Sequence, residues 1–498
     1  MPEHLSPKPE TPAAEADWPR FSDIPEPRMV ALYTGNGSGT KLFQGFLDGH
    51  PEIYMVPAYP LMYLYPHWTQ WREELAGNWS WTAIIDAFCI QHASVIDTRE
   101  IPGYDGMSRL GDDRQGYIAI NERQFKDFLL HLLQDEPMEA RTFLLALHYA
   151  YAFCRAEDMT SKKVLVFHIH VHEYVRDYLF RDFPDMLVLA TVRDPRSNLF
   201  GRYNSSEANI DEQRYDATDA AIFRRRVYFF IMRYFFETMQ ILDGFPAERA
   251  RVVRHEALFY DLPGVMRRTA EFLGIDDDPV MLDITFGGMS WWSDPIYKTG
   301  PTNKVNPRIV SLDWQKKIGQ RDWYVFEGLF SDYMEKYGYK PLKIERFGLF
   351  ERMRLLAVIF LPSNVECDEF IAYLRPARIA AYFRNARDEA TGRIALKDYT
   401  FNAFYRHKWT QRDLNIWRPR WYRQWLVRAL SELRETPGND AAKLRLRAAQ
   451  GTYLGVSLIR YIWAILSFPI YVGRRYGVTL PAYWRVLRHR NVLPDSLE

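Results

Sequence analysis

Short apolar runs alternate with segments of helical spacing over roughly the first 280 residues. The strand candidates cover residues 29–34, 163–171, 186–192 and 250–258, and the helix candidates cover residues 41–51, 173–184, 223–242 and 262–274. Their lengths and bounding turn residues are typical of buried strands and of amphipathic or core helices. Because strands separated by helices usually form a parallel sheet with helices on both faces, the pattern predicts a three-layer α/β fold around a central parallel sheet.

The pattern changes at both ends of this region. Residues 1–28 contain seven prolines and almost no apolar periodicity, which is typical of a disordered or extended arm. After residue 340 the alternation gives way to helical segments rich in Arg, Trp and Tyr. We therefore predict an N-terminal arm (1–28), an α/β domain (29–340) and a basic, aromatic-rich helical C-terminal module (341–498).

One apolar segment inside the C-terminal module has three interpretations. Between residues 451 and 473 only Arg460 is charged, and residues 461–472 are apolar apart from Ser467. A membrane-spanning helix needs about 20 apolar residues. The segment is therefore a buried helix, a helix lying in a membrane interface, or a span in which the Arg460 side chain extends to the lipid headgroups.

The composition is that of a globular protein. Of the 498 residues 47% are apolar and 26% are charged, which excludes wholesale disorder and a polytopic membrane protein. Three cysteines (Cys89, Cys154 and Cys367) are too few for a disulfide framework or a zinc site. The first 20 residues lack the basic start and apolar core of a secretory signal, so we expect a cytoplasmic protein.

The net charge of +1 hides an asymmetry between the two parts of the chain. Residues 341–498 carry 27 Lys and Arg against 14 Asp and Glu, whereas residues 1–340 carry 37 against 49. Such a division indicates two modules, of which the basic one faces an anionic partner such as a lipid surface or a nucleic acid. A solvated, Arg-rich helical face is the alternative.

A glycine-rich loop follows the first strand candidate and precedes the first helix candidate. Strand, glycine loop and helix is the arrangement that binds phosphate groups through backbone N–H groups. In the nucleoside-triphosphate pattern G-x-x-x-x-G-K-[ST], however, Thr40 stands where the second Gly belongs, and Leu42 replaces the hydroxyl that binds magnesium. This departure disfavours an ATP-dependent enzyme.

The same loop resembles that of another family. Residues 34–40 (TGNGSGT) and 47–53 (LDGHPEI) are similar to the 5′-phosphosulfate loop of the PAPS-dependent sulfotransferases, which have a P-loop-type fold. Residues 192–196 (VRDPR) resemble the family motif whose first Arg holds the 3′-phosphate. One departure is Gly201, where the family usually has a Ser; Ser197 or Ser205 is the alternative hydroxyl.

Further motifs extend the resemblance to residue 339 in the family's order. Residues 253–258 (VRHEAL) and 272–275 (FLGI) resemble a strand and a helix end that serve packing and capping. Residues 291–294 (WWSD) resemble the family's late W-x-G-D segment, and the N-K-V-N within residues 302–306 (TNKVN) resembles the lysine-bearing loop of the tyrosylprotein sulfotransferase branch. Residues 337–339 (YGY) resemble the family's terminal motif.

The resemblance implies PAPS as the sulfuryl donor, PAP as the product and no required metal. Lys41 or Lys304 would stabilise charge on the bridging oxygen as it breaks. The residues that the resemblance places at the nucleotide are Gly35, Asn36, Gly37, Ser38, Gly39, Thr40, Lys41, Leu42, Arg193, Arg196 and Ser197.

The general base is less defined. One branch of the family has a Glu where this chain has residues 56–58 (VPA), and another uses a His on the strand before the 3′-phosphate motif. His168, His170 and His172 alternate there and would share one strand face. His170 has the spacing closest to the family's, and His172 fits nearly as well. Glu52 and Glu173 are reserve candidates. The three histidines could alternatively bind a metal or simply pack in the core.

The sequence thus predicts a sulfotransferase that moves a sulfuryl group from PAPS to a hydroxyl or amine by in-line displacement. The alternatives are a P-loop ATP-dependent small-molecule kinase and a catalytically degenerate sulfotransferase-fold scaffold. The basic C-terminal module suggests peripheral attachment to an anionic membrane, where an amphipathic or lipid-linked acceptor would be within reach. No nucleic-acid partner is expected, because the first part of the chain is acidic.

Overall fold

Six parallel strands form the central sheet of the protein. A computed structural model describes residues 18–34, 38–61, 63–100, 106–169, 178–198, 242, 245–292, 319–344, 348–393, 421–488 and 492–498. The strands of the sheet lie in the order β2-β3-β1-β4-β5-β8. Helices cover both faces of the sheet, which confirms the predicted three-layer α/β architecture.

The bounds of the elements among the described residues are as follows. The strands are β1 (Arg28–Thr34), β2 (Ile53–Met55), β3 (Val164–Ile169), β4 (Leu187–Val192), β5 (Ala250–Arg254), β6 (Thr285–Phe286), β7 (Met289–Ser290) and β8 (Asp495–Ser496). The α-helices of the α/β part are α1 (Thr40–Gly45), α2 (Leu64–Glu74), α3 (Trp81–Gln91), α4 (Ala93–Ile96), α5 (Glu122–Leu133), α6 (Ala140–Cys154), α7 (Ala257–Tyr260), α8 (Leu262–Leu273), α9 (Gln320–Leu329) and α10 (Ser331–Lys336). Those of the C-terminal module are α11 (Leu349–Ile359), α12 (Asn364–Leu374), α13 (Pro376–Ala390), α14 (Trp421–Glu435), α15 (Asp440–Leu466) and α16 (Phe468–Arg488).

The alternation of side chains along the central strands builds two hydrophobic cores. In β1, Met29 and Tyr33 enter one core, while Val30 and Leu32 enter the other, where α1 packs. Strands β3 and β4 are buried along their whole length. Continuous apolar runs are expected for parallel strands covered on both faces. The helix candidate 41–51 ends earlier than predicted, at Gly45, and the candidate 223–242 lies outside the described residues except for Leu242.

The sheet topology creates a crevice at one end of β1. Strand β1 lies between β3 and β4 and is parallel to both, with Thr34 paired with Thr191. The loop after β1 and the residues after β4 therefore leave the sheet at the same edge. Ligands of open α/β sheets bind at such points, outside the carboxyl ends of the strands.

The C-terminal module is joined to the α/β part through a shared core and a shared sheet. Leu355 and Tyr483 belong to the same hydrophobic cluster as β1. The short strand β8 pairs in parallel with β5, and Arg254 forms an ion pair with Glu498 beside it. The domain boundary at residue 340 stays a prediction. Apolar packing is continuous across this boundary.

The apolar segment 451–473 spans two helices that meet at Ser467. Within the described ranges, no individual helix is long and apolar enough to cross a membrane. The pair α15 and α16, bent by 53°, passes that test together by length and composition alone.

Candidate nucleotide-binding site

Gly39 shapes the loop that leads from β1 into α1. Its φ of 86° lies in the left-handed region, which costs residues with a Cβ free energy. A Cβ built at this position would lie 2.1 Å from Nδ1 of His255. The backbone of the loop thus touches an imidazole at the end of β5, and only glycine permits this approach. Gly35, Asn36 and Gly37 lie outside the described residues.

Three buried hydroxyls connect the loop to the neighbouring strand. The Ser38 Oγ lies 2.8 Å from the Thr191 Oγ1 and 3.3 Å from the Thr40 Oγ1. Thr40 and Thr191 are also hydrogen-bonded to each other. The cluster fixes the start of α1 against β4. Thr191 was not among the predicted residues, although it stands two positions before Arg193 on the same side of β4.

The Lys41 side chain is enclosed by aromatic rings. Its Nζ lies 5.6 Å from the centre of the Tyr59 ring and 5.2 Å from that of Trp291, and the residue is 8% exposed. Such cation–π contacts stabilise an ammonium group that has lost part of its water. The neighbouring Leu42 is buried in the core beneath the sheet, so only its backbone is available to a nucleotide.

His168 is held in one neutral tautomer. The Gln44 Nε2 donates to the carbonyls of Val56 and Ala58, so the Gln44 Oε1 must accept the proton of His168 Nδ1, 2.8 Å away. Burial, and secondarily the nearby Lys41 cation, lower the pKa of His168 to about 3. A ring with this pKa is a poor general base near neutral pH.

The other base candidates, apart from Glu52, lie outside the described residues. His170, His172, Glu173 and Lys304 lie outside the described residues, so their catalytic roles stay predictions. Gly201, Ser205 and residues 302–306 lie outside the description as well. No group of His, Cys, Asp and Glu within the described ranges could hold a metal ion, and the metal alternative for the three histidines is untested.

Glu52 lies at the opposite edge of the sheet and serves the fold. Its backbone carbonyl accepts from the N–H groups of Lys163 and Val164, where β3 begins. Burial alone would raise the pKa of Glu52, but hydrogen bonds from Lys163 and from the Asp276 N–H hold this pKa below its usual value. This position at the amino ends of β2 and β3 disfavours Glu52 as the reserve base.

The residues 47–53 owe their pattern to packing. Asp48 accepts hydrogen bonds from the Thr285 hydroxyl (2.8 Å) and the Gly288 N–H (3.0 Å). His50 Nδ1 accepts from the Glu52 N–H, and its Nε2 contacts the Asp276 carbonyl at 3.0 Å. These contacts tie the turn after α1 to residues 276–288, so the motif supports the loop from behind.

Arg193 follows β4 and faces the loop from the neighbouring strand. The Tyr333 hydroxyl lies 3.2 Å from both the N–H and the carbonyl oxygen of Arg193. Glu256 accepts from the N–H of Asp194 at 3.0 Å and from the Tyr339 hydroxyl at 2.8 Å. The backbone at Arg193 is thus fixed from two sides. Burial raises the pKa of the Glu256 carboxyl, an effect that the Arg193 cation opposes.

Arg196 is used by the protein itself. Its guanidinium donates to both oxygens of Asp194, to Glu327 at 2.5 Å and to the Lys340 carbonyl at 3.1 Å. Only 3% of Arg196 is exposed. Ser197, next in the chain, is buried as well. The predicted contact of Arg196 with the nucleotide stays a prediction, and these hydrogen bonds disfavour it.

His255 is a candidate site residue that the sequence did not single out. The resemblance assigns residues 253–258 to packing, yet the His255 ring is buried against Gly39, and Arg193 is near enough to act on its charge. Its Nδ1 has no hydrogen-bond partner among the described residues. Burial, together with the Arg193 cation, lowers the pKa of His255 to about 3. The signal in the sequence is its spacing: His255 stands two positions after Val253, so both side chains point to the face of the sheet on which α1 packs.

Buried neutral histidines make the stability of the protein depend on pH. Burial depresses the pKa of His148 to about 4 and those of His168 and His255 to about 3. The contribution of these neutral histidines to the free energy of unfolding is fully present above their unfolded-state pKa near 6.5. It is lost as the pH falls toward their depressed pKa values in the folded state. From pH 7 to pH 5 we expect a loss of about 2 kcal/mol per histidine. Denaturant unfolding of the wild type and of His168→Gln checks this, and equal pH slopes for the two proteins would contradict it.

Comparison with known proteins agrees with the motifs. A model of the sulfotransferase family matches residues 37–279, which contain the described end of the loop, Thr191, Arg193 and His255. No curated protein matches the chain.

Two solved structures are similar at 16% identity. The sulfotransferase domain of the Synechococcus PCC 7002 olefin synthase has a TM-score of 0.32, with coverage of 59% of this chain and 88% of that domain. Sulfotransferase STF9 from Mycobacterium avium has a TM-score of 0.28, with coverage of 52% of this chain and 67% of that protein. Residues 37–279, just under half of the chain, thus match the sulfotransferase family.

Proposed function

We propose that the protein transfers a sulfuryl group from PAPS to a hydroxyl or amine of an acceptor, and that it does so without a metal ion. The observation that carries this proposal is the meeting of two anion-binding elements at one edge of the sheet. The loop at Ser38–Lys41 and the half-buried Arg193 leave adjacent parallel strands and meet around the His255 ring. A nucleotide with phosphates at both the 5′ and the 3′ position needs two separate sites of this kind.

The described residues fit such a nucleotide. Gly39 lets the loop backbone approach the buried His255 ring, whose Nδ1 has no hydrogen-bond partner among the described residues. The backbone N–H groups at the start of α1 and the Thr40 hydroxyl would hold the 5′ end. Arg193 would hold the 3′-phosphate. The Tyr333 hydroxyl fixes the backbone of Arg193, and the Glu256 carboxylate fixes that of the next residue, Asp194.

The chemistry follows from the charges and the enclosure at Lys41. PAPS supplies an activated sulfuryl group whose transfer passes through a loose, in-line transition state, by analogy with phosphoryl transfer. Lys41 places a cation at the loop, where it would stabilise negative charge on the departing oxygen. Tyr59 and Trp291 exclude water from that ammonium. Leu42, buried in the core, occupies the position of the magnesium-binding hydroxyl of ATP-dependent enzymes.

The acceptor must lose a proton during the transfer. The neutral His168 donates its Nδ1 proton to Gln44, and its depressed pKa makes it a positioning residue beside Lys41. His170 and His172 are the proposed bases, with Lys304 as a second cation at the bridging oxygen. These assignments rest on the family resemblance alone.

Arg193→Ala is expected to weaken the binding of PAP about 100-fold, because it removes about 3 kcal/mol of charge-assisted hydrogen bonding to the 3′-phosphate. Isothermal titration calorimetry with PAP in a chelator measures the effect. Arg181→Ala is the matched control, since Arg181 is a surface residue before β4 whose partner is Asp182. If Arg193→Ala binds PAP as tightly as Arg181→Ala does, the assignment of the 3′-phosphate site is wrong.

A further inference from the structure

Helix α15 is apolar on both sides near its carboxyl end, but the protein covers only one side. Ser457, Tyr461 and Ala464 are buried against the rest of the C-terminal module. The opposite side exposes large apolar side chains that continue into the first turn of α16. These six residues, the elbow face, are Leu458, Ile459, Ile462, Trp463, Leu466 and Ile470, which are 46% to 67% exposed.

The elbow face is continuous because of helical spacing. Leu458, Ile462 and Leu466 are four residues apart, and Ile459 and Trp463 form the adjacent row. A helix that is apolar all round is normally surrounded by protein or by lipid. Exposed apolar patches of this kind mark interaction surfaces. The elbow face therefore needs an apolar partner that the C-terminal module itself does not supply.

The charge around the elbow face selects the partner. Residues 441–494 contain nine Lys and Arg and no Asp or Glu, although Arg460 and Arg475 are buried inside the module and Arg445 also pairs with Glu432. Arg445 lies five helical turns before Trp463 and so on the same side of α15, and the exposed Arg488 stacks on the half-exposed Trp484 ring at 4.3 Å. Arg next to Trp at the edge of an apolar face is typical of helices that lie in anionic membrane interfaces.

We propose that the elbow face docks the protein on an anionic phospholipid surface, with its six apolar side chains among the acyl chains and the basic side chains at the headgroups. Two copies of this basic segment would repel each other, which disfavours self-association. Nucleic acid offers phosphates but no apolar medium for the elbow face. This inference goes beyond the proposed sulfuryl transfer and does not depend on it.

The test is co-sedimentation of the full chain with lipid vesicles. Vesicles of phosphatidylcholine with roughly a quarter phosphatidylglycerol should bind the protein at about 50 mM NaCl, and pure phosphatidylcholine vesicles should bind it at least about tenfold more weakly. Ile459→Glu/Trp463→Glu should reduce binding to the anionic vesicles by at least about tenfold. The matched control is Ile90→Glu/Tyr260→Glu, which changes two apolar residues of the α/β part that are even more exposed (79% and 74%) and should bind like the wild type.

Three results would overturn the proposal. The first is failure of the wild type to bind anionic vesicles at low salt, and the second is equal binding by the two double variants. The third is a wild-type dimer in analytical ultracentrifugation that Ile459→Glu/Trp463→Glu dissociates, which would assign the elbow face to a second copy. An unchanged melting temperature and PAP affinity in the elbow variant separate loss of docking from misfolding and from any failure of the nucleotide site.

Discussion

Gly39→Ala is expected to weaken PAP binding more than about 100-fold, through two effects that act together. A residue with a Cβ pays about 1–2 kcal/mol to stay in the left-handed region that Gly39 occupies. In addition, the new methyl group would lie 2.1 Å from Nδ1 of His255, so the loop or the ring must move. Since the Gly39 carbonyl accepts the hydrogen bond that begins α1, this movement displaces Thr40 and Lys41 as well.

Gly274→Ala separates backbone strain from the clash. Gly274 has a φ of 72°, close to that of Gly39, but no atom lies within 4 Å of its added Cβ. This control should lose about 1–2 kcal/mol of stability and keep its PAP affinity. Gly39→Ala/His255→Ala should recover part of the lost binding, because the smaller side chain removes the clash. Wild-type PAP affinity in Gly39→Ala would show that the loop does not pack against His255.

Glu327→Ala is expected to destabilise the protein by about 3–5 kcal/mol, because it removes one of the two carboxylates bonded to the buried Arg196 guanidinium and leaves several other donors without their acceptor. The Glu327 carboxylate accepts hydrogen bonds from Arg196 Nη1 and Trp323 Nε1, both at 2.5 Å. It also accepts from the backbone N–H groups of residues 342–344. One side chain thus connects the segment after β4, helix α9 and the start of the C-terminal module. Thermal and denaturant unfolding measure the loss.

The control for Glu327 is an exposed ion pair of the same chemistry. Glu432 pairs with Arg445 on the surface of the C-terminal module. Glu432→Ala should cost less than about 1 kcal/mol, since water replaces the lost partner. Equal destabilisation by Glu432→Ala and Glu327→Ala would contradict a buried network around Arg196.

The strands that the sequence predicts correctly are those composed mainly of apolar residues, because such residues indicate burial without reference to the rest of the chain. Strands β1, β3 and β4 are continuous apolar runs, and each was predicted to within two residues at its described ends. Strand β8 has only Asp495 and Ser496, which have no strand pattern. It forms because Leu497 is buried in the core and Lys336 pairs with Asp495, contacts that only the folded chain creates.

The same distinction holds at the candidate site. Gly39, Lys41 and Arg193 stand in local motifs, so their positions could be predicted from neighbours in the chain. The role of Thr191 depends on Ser38, 153 residues away, and that of His255 depends on its contact with Gly39. Arg196 was placed at the nucleotide because of its motif, but its carboxylate partner Glu327 is 131 residues distant and could not be inferred from spacing.

Calorimetric titration of the wild type with PAP in a chelator, and in parallel with ATP and magnesium, tests the proposed nucleotide site most directly. We expect tight PAP binding that needs no metal and much weaker binding of ATP, because the loop has Leu42 where magnesium would need a hydroxyl. Binding of ATP with magnesium but not of PAP would contradict the proposal and favour the kinase alternative. Binding of neither nucleotide would contradict it too and would favour a sulfotransferase fold kept as a scaffold.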